Sequence, residues 1–139
     1  MTKLVIFCGL VATTFATAPQ ALKADNADAL CPLGNATLRG TYMSRAEGTV
    51  VGVGPLAAVG WLTYDGKGNV VNGFTISVNG VISSGTISGP YTVNSDCTGS
   101  TNLSGSNYYF IVTPDGSTVN WIASDPGSVF SGTEIRLRH

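Results

Sequence analysis

The chain has 139 residues with a net charge of −1, and only 11% of its residues are charged. That length suits one domain with a real core. The absence of a basic stripe argues against nucleic acid or an anionic membrane surface as partner. Abundant Gly, Ser, Thr, Asn and Val describe an all-β extracellular domain rather than a helical one.

Lys3 is followed by an apolar run of 15 residues, Leu4 to Ala18, that ends in small side chains. This is the layout of a secretory signal, and it is short of the roughly 20 apolar residues of a membrane span. Ala16-Thr17-Ala18 has the spacing of a cleavage site, but Pro19 follows it; Ala24 and Ala29 are the alternatives. We therefore expect residues 1–29 to be signal and uncertain N-terminus, and residues 30–139 to be one secreted or periplasmic domain. No membrane span is expected once the signal is gone. Its removal takes away Lys3, Lys23, Asp25 and Asp28, leaving five basic and six acidic residues.

Cys8 leaves with the signal, so Cys31 and Cys97 remain as an even pair. In an exported domain that pattern predicts one disulfide. Two thiolates without an internal histidine do not make a closed zinc site, so no metal is expected.

Short β-type runs separated by turn residues fill the rest of the chain. In order they are Leu38 to Thr49, Pro55 to Tyr64, Val70 to Val78, Gly85 to Asn94, Cys97 to Gly105, Asn107 to Thr113, Thr118 to Ser124 and Val129 to Arg138. In the third, Val70, Phe74, Ile76 and Val78 share one face; in the fourth, Ile87, Tyr91 and Val93 do. Pro90 cannot donate to a ladder and marks a bulge or an edge. Asp65-Gly66-Lys67-Gly68-Asn69, Pro114 to Ser117 and Asp125-Pro126-Gly127 read as turns, and Asp65, Asp96, Asp115 and Asp125 as their hydrogen-bonding residues. Eight sequential antiparallel strands predict an up-and-down barrel whose first and last strands meet. A two-sheet sandwich is the alternative.

Four segments carry a resemblance: Leu38-x-Gly40-Thr41-Tyr42, GPLAAVGWLTYDGKGNV, GPYTVNSDCTGS and FIVTPDGSTVNWIASDPGSVFSGT. Together they resemble a group of small exported bacterial and fungal proteins, over essentially the whole mature chain. That group in turn is loosely similar to the allene-oxide-cyclase-like barrels. The resemblance implies an eight-stranded barrel around an apolar cavity, in a family where some members cyclise or isomerise hydrophobic substrates without a cofactor. None of the cyclases' catalytic motifs maps residue by residue onto this chain.

The only histidine, His139, is the last residue, which argues against a Ser or Cys triad. HExxH, Walker and dinucleotide signatures are absent, and no cofactor is expected. Arg45 and Glu47, and Glu134 and Arg136, sit at i, i+2 on the first and last strands. They are expected to form a cross-strand ladder of ion pairs on a solvated face. The sharper reading makes Glu47 or Glu134 a carboxylate at the barrel mouth, with its pKa raised for acid–base work. Tyr42, Tyr91 and Trp121 combine an apolar body with a polar tip and are the candidate cavity-lining residues. Two functions follow as expectations: a non-enzymatic module binding a small apolar molecule, or a cofactor-free cyclase or isomerase.

Overall fold

The computed structural model describes residues 29–138. The expected signal and His139 lie outside these residues. Eight antiparallel strands in sequence order form a closed barrel, which rejects the sandwich. They are β1 (Arg39–Val50), β2 (Gly54–Asp65), β3 (Asn69–Val78), β4 (Val81–Val93), β5 (Thr98–Leu103), β6 (Ser106–Val112), β7 (Thr118–Ala123) and β8 (Ser128–Arg136). Closure comes from β1 pairing with β8 between Tyr42↔Arg136 and Val50↔Ser128.

Two boundaries differ from the sequence reading, and two tight turns explain both. Asn79-Gly80 has both φ angles positive (49° and 84°). That is the two-residue turn whose twist matches a hairpin, so β4 begins at Val81 rather than at Gly85. Ser104-Gly105 takes the same form (49° and 98°), so the stretch expected as the end of a strand is the turn between β5 and β6. Pro90 stands where β4 changes partners. Its pair is Asn69 of β3, and from Tyr91 onward β4 pairs with β5.

The two ends of the barrel are built differently. One end is filled by Tyr42, Leu62, Tyr64, Val70, Tyr91, Val93, Phe110, Val112 and Val119, all buried. Tyr42, Tyr64 and Tyr91 stack edge to face at 5.1 and 5.0 Å, an arrangement that adds to their burial energy. The N-terminal segment closes this end as a plug. Its 3-10 turn, Gly34–Thr37, is pinned to the barrel by Asn35, whose Oδ1 accepts from the Val93 N–H at 2.8 Å. The Tyr91 hydroxyl donates to the carbonyls of Asn35 and Leu38, and Arg136 donates to that of Thr37. The disulfide Cys31–Cys97 ties the plug to the β4–β5 turn, as the cysteine count predicts. Among the described residues no helix is long and apolar enough to cross a membrane.

The expected four-charge ladder does not form. Ser44 stands opposite Glu134, and Thr133 opposite Arg45. The two pairs therefore face opposite sides of the wall: Arg45 and Glu47 outward, Glu134 and Arg136 inward. Only the outer pair is an ion pair, at 3.1 Å between exposed side chains, and it adds little to stability.

The plug predicts the effect of cutting its tether. The disulfide closes a loop of 66 residues, worth about 4 kcal/mol in the chain-entropy account. Cys97→Ser should therefore lower the melting temperature by more than about 10 °C. Differential scanning calorimetry checks this, and an unchanged melting temperature would mean that the plug holds without its tether.

Candidate functional site

The second half of the barrel is hollow. A recess of about 310 Å³ opens there, at the end bounded by the β1–β2, β3–β4, β5–β6 and β7–β8 turns. Its wall runs through every strand: Ser44 and Ala46 of β1, Leu56, Ala58 and Gly60 of β2, Asn72, Phe74 and Ile76 of β3, and Ile87 of β4. Leu103 of β5, Ser106 and Tyr108 of β6, Trp121 of β7 and Phe130 of β8 complete it. The volume lies at the small end of the range for ligand pockets, and the lining is of their kind, mostly apolar with a few polar groups.

Small side chains make the hollow. Around the packed end the inward positions carry tyrosines, valines, Leu62 and Phe110, whereas here β1 and β2 contribute Ser44, Ala46, Ala58 and Gly60. Tyr108, Trp121 and Phe130 form one aromatic wall, with ring centroids 5.3 to 6.5 Å apart and edge-to-face. Gly132 makes room for it: a Cβ there would fall 2.5 Å from Cζ2 of Trp121. The indole N–H of Trp121 is buried without a hydrogen-bond partner, a condition native interiors tolerate at few positions.

Glu134 sits just below this hollow. It is 4% exposed, opposite Ser44 on one side and Val119 on the other, and two residues along β8 from Gly132. The Tyr64 hydroxyl donates to its Oε2 at 2.8 Å, and no cation among the described residues lies within ion-pair distance. Burial outweighs the lowering effect of the Tyr64 hydrogen bond, and the carboxyl is raised from 4.5 to about 7. Burial, and then the Glu134 charge, hold the Tyr64 phenol well above its usual range, so Tyr64 stays protonated and keeps donating. Glu134 thus changes its proton occupancy near neutral pH, which is where a general acid or base is most effective.

The candidate residues therefore separate. Trp121 lines the hollow, and Glu134 lies directly beneath it rather than at the barrel mouth. Glu47 is outside the barrel, bonded to Arg45. Tyr42 and Tyr91 belong to the packed end: Tyr42 accepts from Arg136 and donates to the Gly116 carbonyl, and Tyr91 holds the plug. Their polar tips are spent on protein partners, which corrects the cavity-lining assignment for both. Sequence reading missed Ala46, Ala58, Phe74, Ile76, Leu103, Tyr108 and Phe130. Phe74 and Ile76 were assigned a shared face, and that alternation was the available signal for them.

A larger recess, about 630 Å³, lies against β7, β8, β1 and β2, where Met43, Arg45, Glu47, Thr133 and Ile135 of the outer wall surround it and Trp121 is its one aromatic residue. Its rim is largely outward-facing side chains, so it lacks the enclosing aromatic wall of the interior hollow. Among the described residues no group of three or more His, Cys, Asp or Glu could hold a metal ion. The aspartates serve the turns instead. Asp65 accepts from the N–H groups of Lys67 and Asn69, and Asp115 from that of Ser117; these bonds draw both carboxyls down to about 2. The chain matches no family model, no curated protein and no solved structure.

The raised pKa of Glu134 sets a pH dependence. Between about 4.5 and about 7 the native carboxyl keeps a proton that the unfolded chain releases. The native state binds more protons there, so stability falls as pH rises through this window and then levels off. The slope approaches about 1.4 kcal/mol per pH unit, a few kcal/mol in all. Glu134→Gln retains an acceptor for Tyr64 and should abolish the slope, becoming the more stable protein at pH 8. Urea denaturation at pH 5 and pH 8 checks this; parallel behaviour of the two proteins would refute a buried, proton-bearing Glu134.

Proposed function

We propose that this chain is an exported barrel that binds a small apolar molecule in its hollow end. The observation that carries the reading is the division of a single barrel into a tightly packed half and an aromatic-lined hollow. Side chains of the size used at the packed end would have filled the hollow. Instead Ser44, Ala46, Ala58 and Gly60 leave about 310 Å³ open beside Tyr108, Trp121 and Phe130. Ser44, Asn72 and Ser106 offer the few polar contacts that would orient a ligand. The disulfide and the apolar run near the N-terminus support the placement outside the cytoplasm. N-terminal sequencing of secreted protein should find a start between Pro19 and Leu30.

Titration with N-phenyl-1-naphthylamine should give saturable one-to-one binding, with quenching of tryptophan fluorescence. The melting temperature should rise with probe excess over the dissociation constant. Ala58→Trp fills the hollow from β2 and should weaken binding at least about tenfold, the equivalent of about 1.4 kcal/mol. Equal binding by this variant would place the probe elsewhere and overturn the reading. Native mass spectrometry of protein from its own host then identifies the resident molecule.

Glu134 favours a second reading, a cofactor-free cyclase or isomerase of the allene-oxide-cyclase-like type. One carboxyl with a pKa of about 7 lies under an apolar hollow, where it would give or take a proton as bonds in a bound substrate rearrange. Its cross-strand neighbour Ser44 lines the open volume. Glu134→Gln separates the readings: under the binding reading retained ligand is unchanged, whereas under the enzymatic one substrate accumulates in place of product.

A further inference from the structure

The barrel is closed at its packed end but parted at its hollow end. β4 pairs with β3 from Val81 to Pro90 and with β5 only from Tyr91 to Val93. The last contact on the β5 side is the Ser104 N–H donating to the Ser88 carbonyl at 3.3 Å. From Val81 to Ile87 one backbone edge of β4 therefore has no strand beside it among the described residues. Residues Val81 to Thr86 are exposed on both faces, and Val81 and Ile82 are each 72% exposed. Ile87 lines the hollow on one side of the gap, and Leu103 and Ser106 line it on the other.

An open strand edge is a template for a further strand, and proteins that keep such edges free guard them with charges, prolines or bulges. This one has no such guard. No charged residue occurs from Gly68 to Ser95, and the only proline, Pro90, lies beyond the free stretch.

We propose that a second copy of this chain pairs with this edge, β4 against β4, antiparallel about a two-fold axis at Ser84. The choice of occupant comes from the segment itself, Val81-Ile82-Ser83-Ser84-Gly85-Thr86-Ile87. Centred on Ser84, the pairing sets Val81 opposite Ile87 twice on the hollow-facing side, and Ile82 opposite Thr86 twice on the outer side. Centred one residue on, at Gly85, it would set Ser83 against Ile87 and leave Val81 facing Gly89. The first register matches apolar with apolar, and an isologous contact of this kind closes on itself as a dimer. The uncharged edge offers nothing that would select a charged partner. The added strand would also cover the side gap of the hollow. A seven-residue ribbon falls short of the roughly 1,200 Å² of a standard interface, so the dimer should be concentration-dependent.

Sedimentation velocity of the mature protein, from about 1 μM to about 1 mM, the range over which a modest interface populates, should show monomer passing to dimer. Amide exchange should slow at Ile82, Ser84 and Thr86, whose N–H groups point to the free edge while their neighbours are held by β3, as the dimer forms. Ser84→Lys and Ser84→Glu each set like charges opposite one another at the axis and should remain monomeric with unchanged circular dichroism. Mixing the two variants should restore a dimer, because the charges are then complementary. Monomer at all concentrations would overturn the proposal, as would a dimer indifferent to Ser84→Lys. Slow exchange at Ile82, Ser84 and Thr86 in the monomer would also overturn it, by showing that another segment of the same chain covers the edge.

Discussion

The register between β1 and β8 decides what is inside this protein. Those strands are farthest apart in sequence, yet their pairing sets Ser44 opposite Glu134 and Ala46 opposite Gly132. Because successive side chains alternate between faces, a slip of one residue would exchange inside for outside along the strand. Arg45 and Glu47 would then be driven into the interior, where unpaired charges are costly. Tyr42 and Arg136 hold the register from within. The Arg136 Nε–H bonds the Tyr42 hydroxyl at 3.0 Å, and its guanidinium carbon lies 5.5 Å from the centre of the Tyr42 ring. The same arginine reaches the Thr37 carbonyl, so closure of the barrel and seating of the plug depend on one side chain.

The packed end then frees the other end from the work of folding. Core tyrosines there bring large apolar area together with hydroxyls that all find partners: Tyr42 on Gly116, Tyr64 on Glu134 and Tyr91 on Asn35 and Leu38. Buried polar groups treated this way contribute to stability rather than subtracting from it. With that cluster and the disulfide at one pole, the opposite pole can carry alanine, serine and glycine inside without losing the fold. The parted seam between β4 and β5 lies at this second pole, at the margin of the hollow.

Much of this architecture was legible in the sequence. Strand count, chain order, the meeting of first and last strands and the Cys31–Cys97 pair all follow from turn chemistry, alternation and cysteine number. The start of β4 was not legible, because Val81-Ile82-Ser83-Ser84 lies on a free edge and lacks the alternation of a half-buried strand. The orientation of Glu134 was hidden for a different reason. Spacing of i, i+2 gives both charged pairs the same parity on their own strands, and only the cross-strand register separates them. Hydropathy could not supply it, since Ser44 faces inward while Met43 and Trp61 face outward, 53% and 44% exposed. A hollow barrel blurs the usual pattern, because its inner wall has no need of bulk. Tyr42 and Tyr91 were assigned by side-chain chemistry alone, and only the structure shows their hydroxyls already engaged.

Glu134 is the residue that stability alone explains least. A glutamine would satisfy Tyr64 without a desolvated charge, and a leucine would pack against Val119. Instead the chain carries a carboxyl whose ionisation opposes folding above about pH 7, with one hydrogen bond in compensation. Next to the same layer lies the indole N–H of Trp121, buried and unpartnered. Sequences that fold consistently break such rules mainly where something other than folding constrains them. The Trp121 indole lines the hollow and Glu134 is the cross-strand neighbour of Ser44 in its wall, although one further buried polar atom without a partner, Thr37 Oγ1, lies in the plug. A desolvated carboxyl and an unpartnered indole so close to one open volume are what a packing account leaves over, and they are why the hollow end, rather than the outer wall or the turns, is the place to look for a bound molecule.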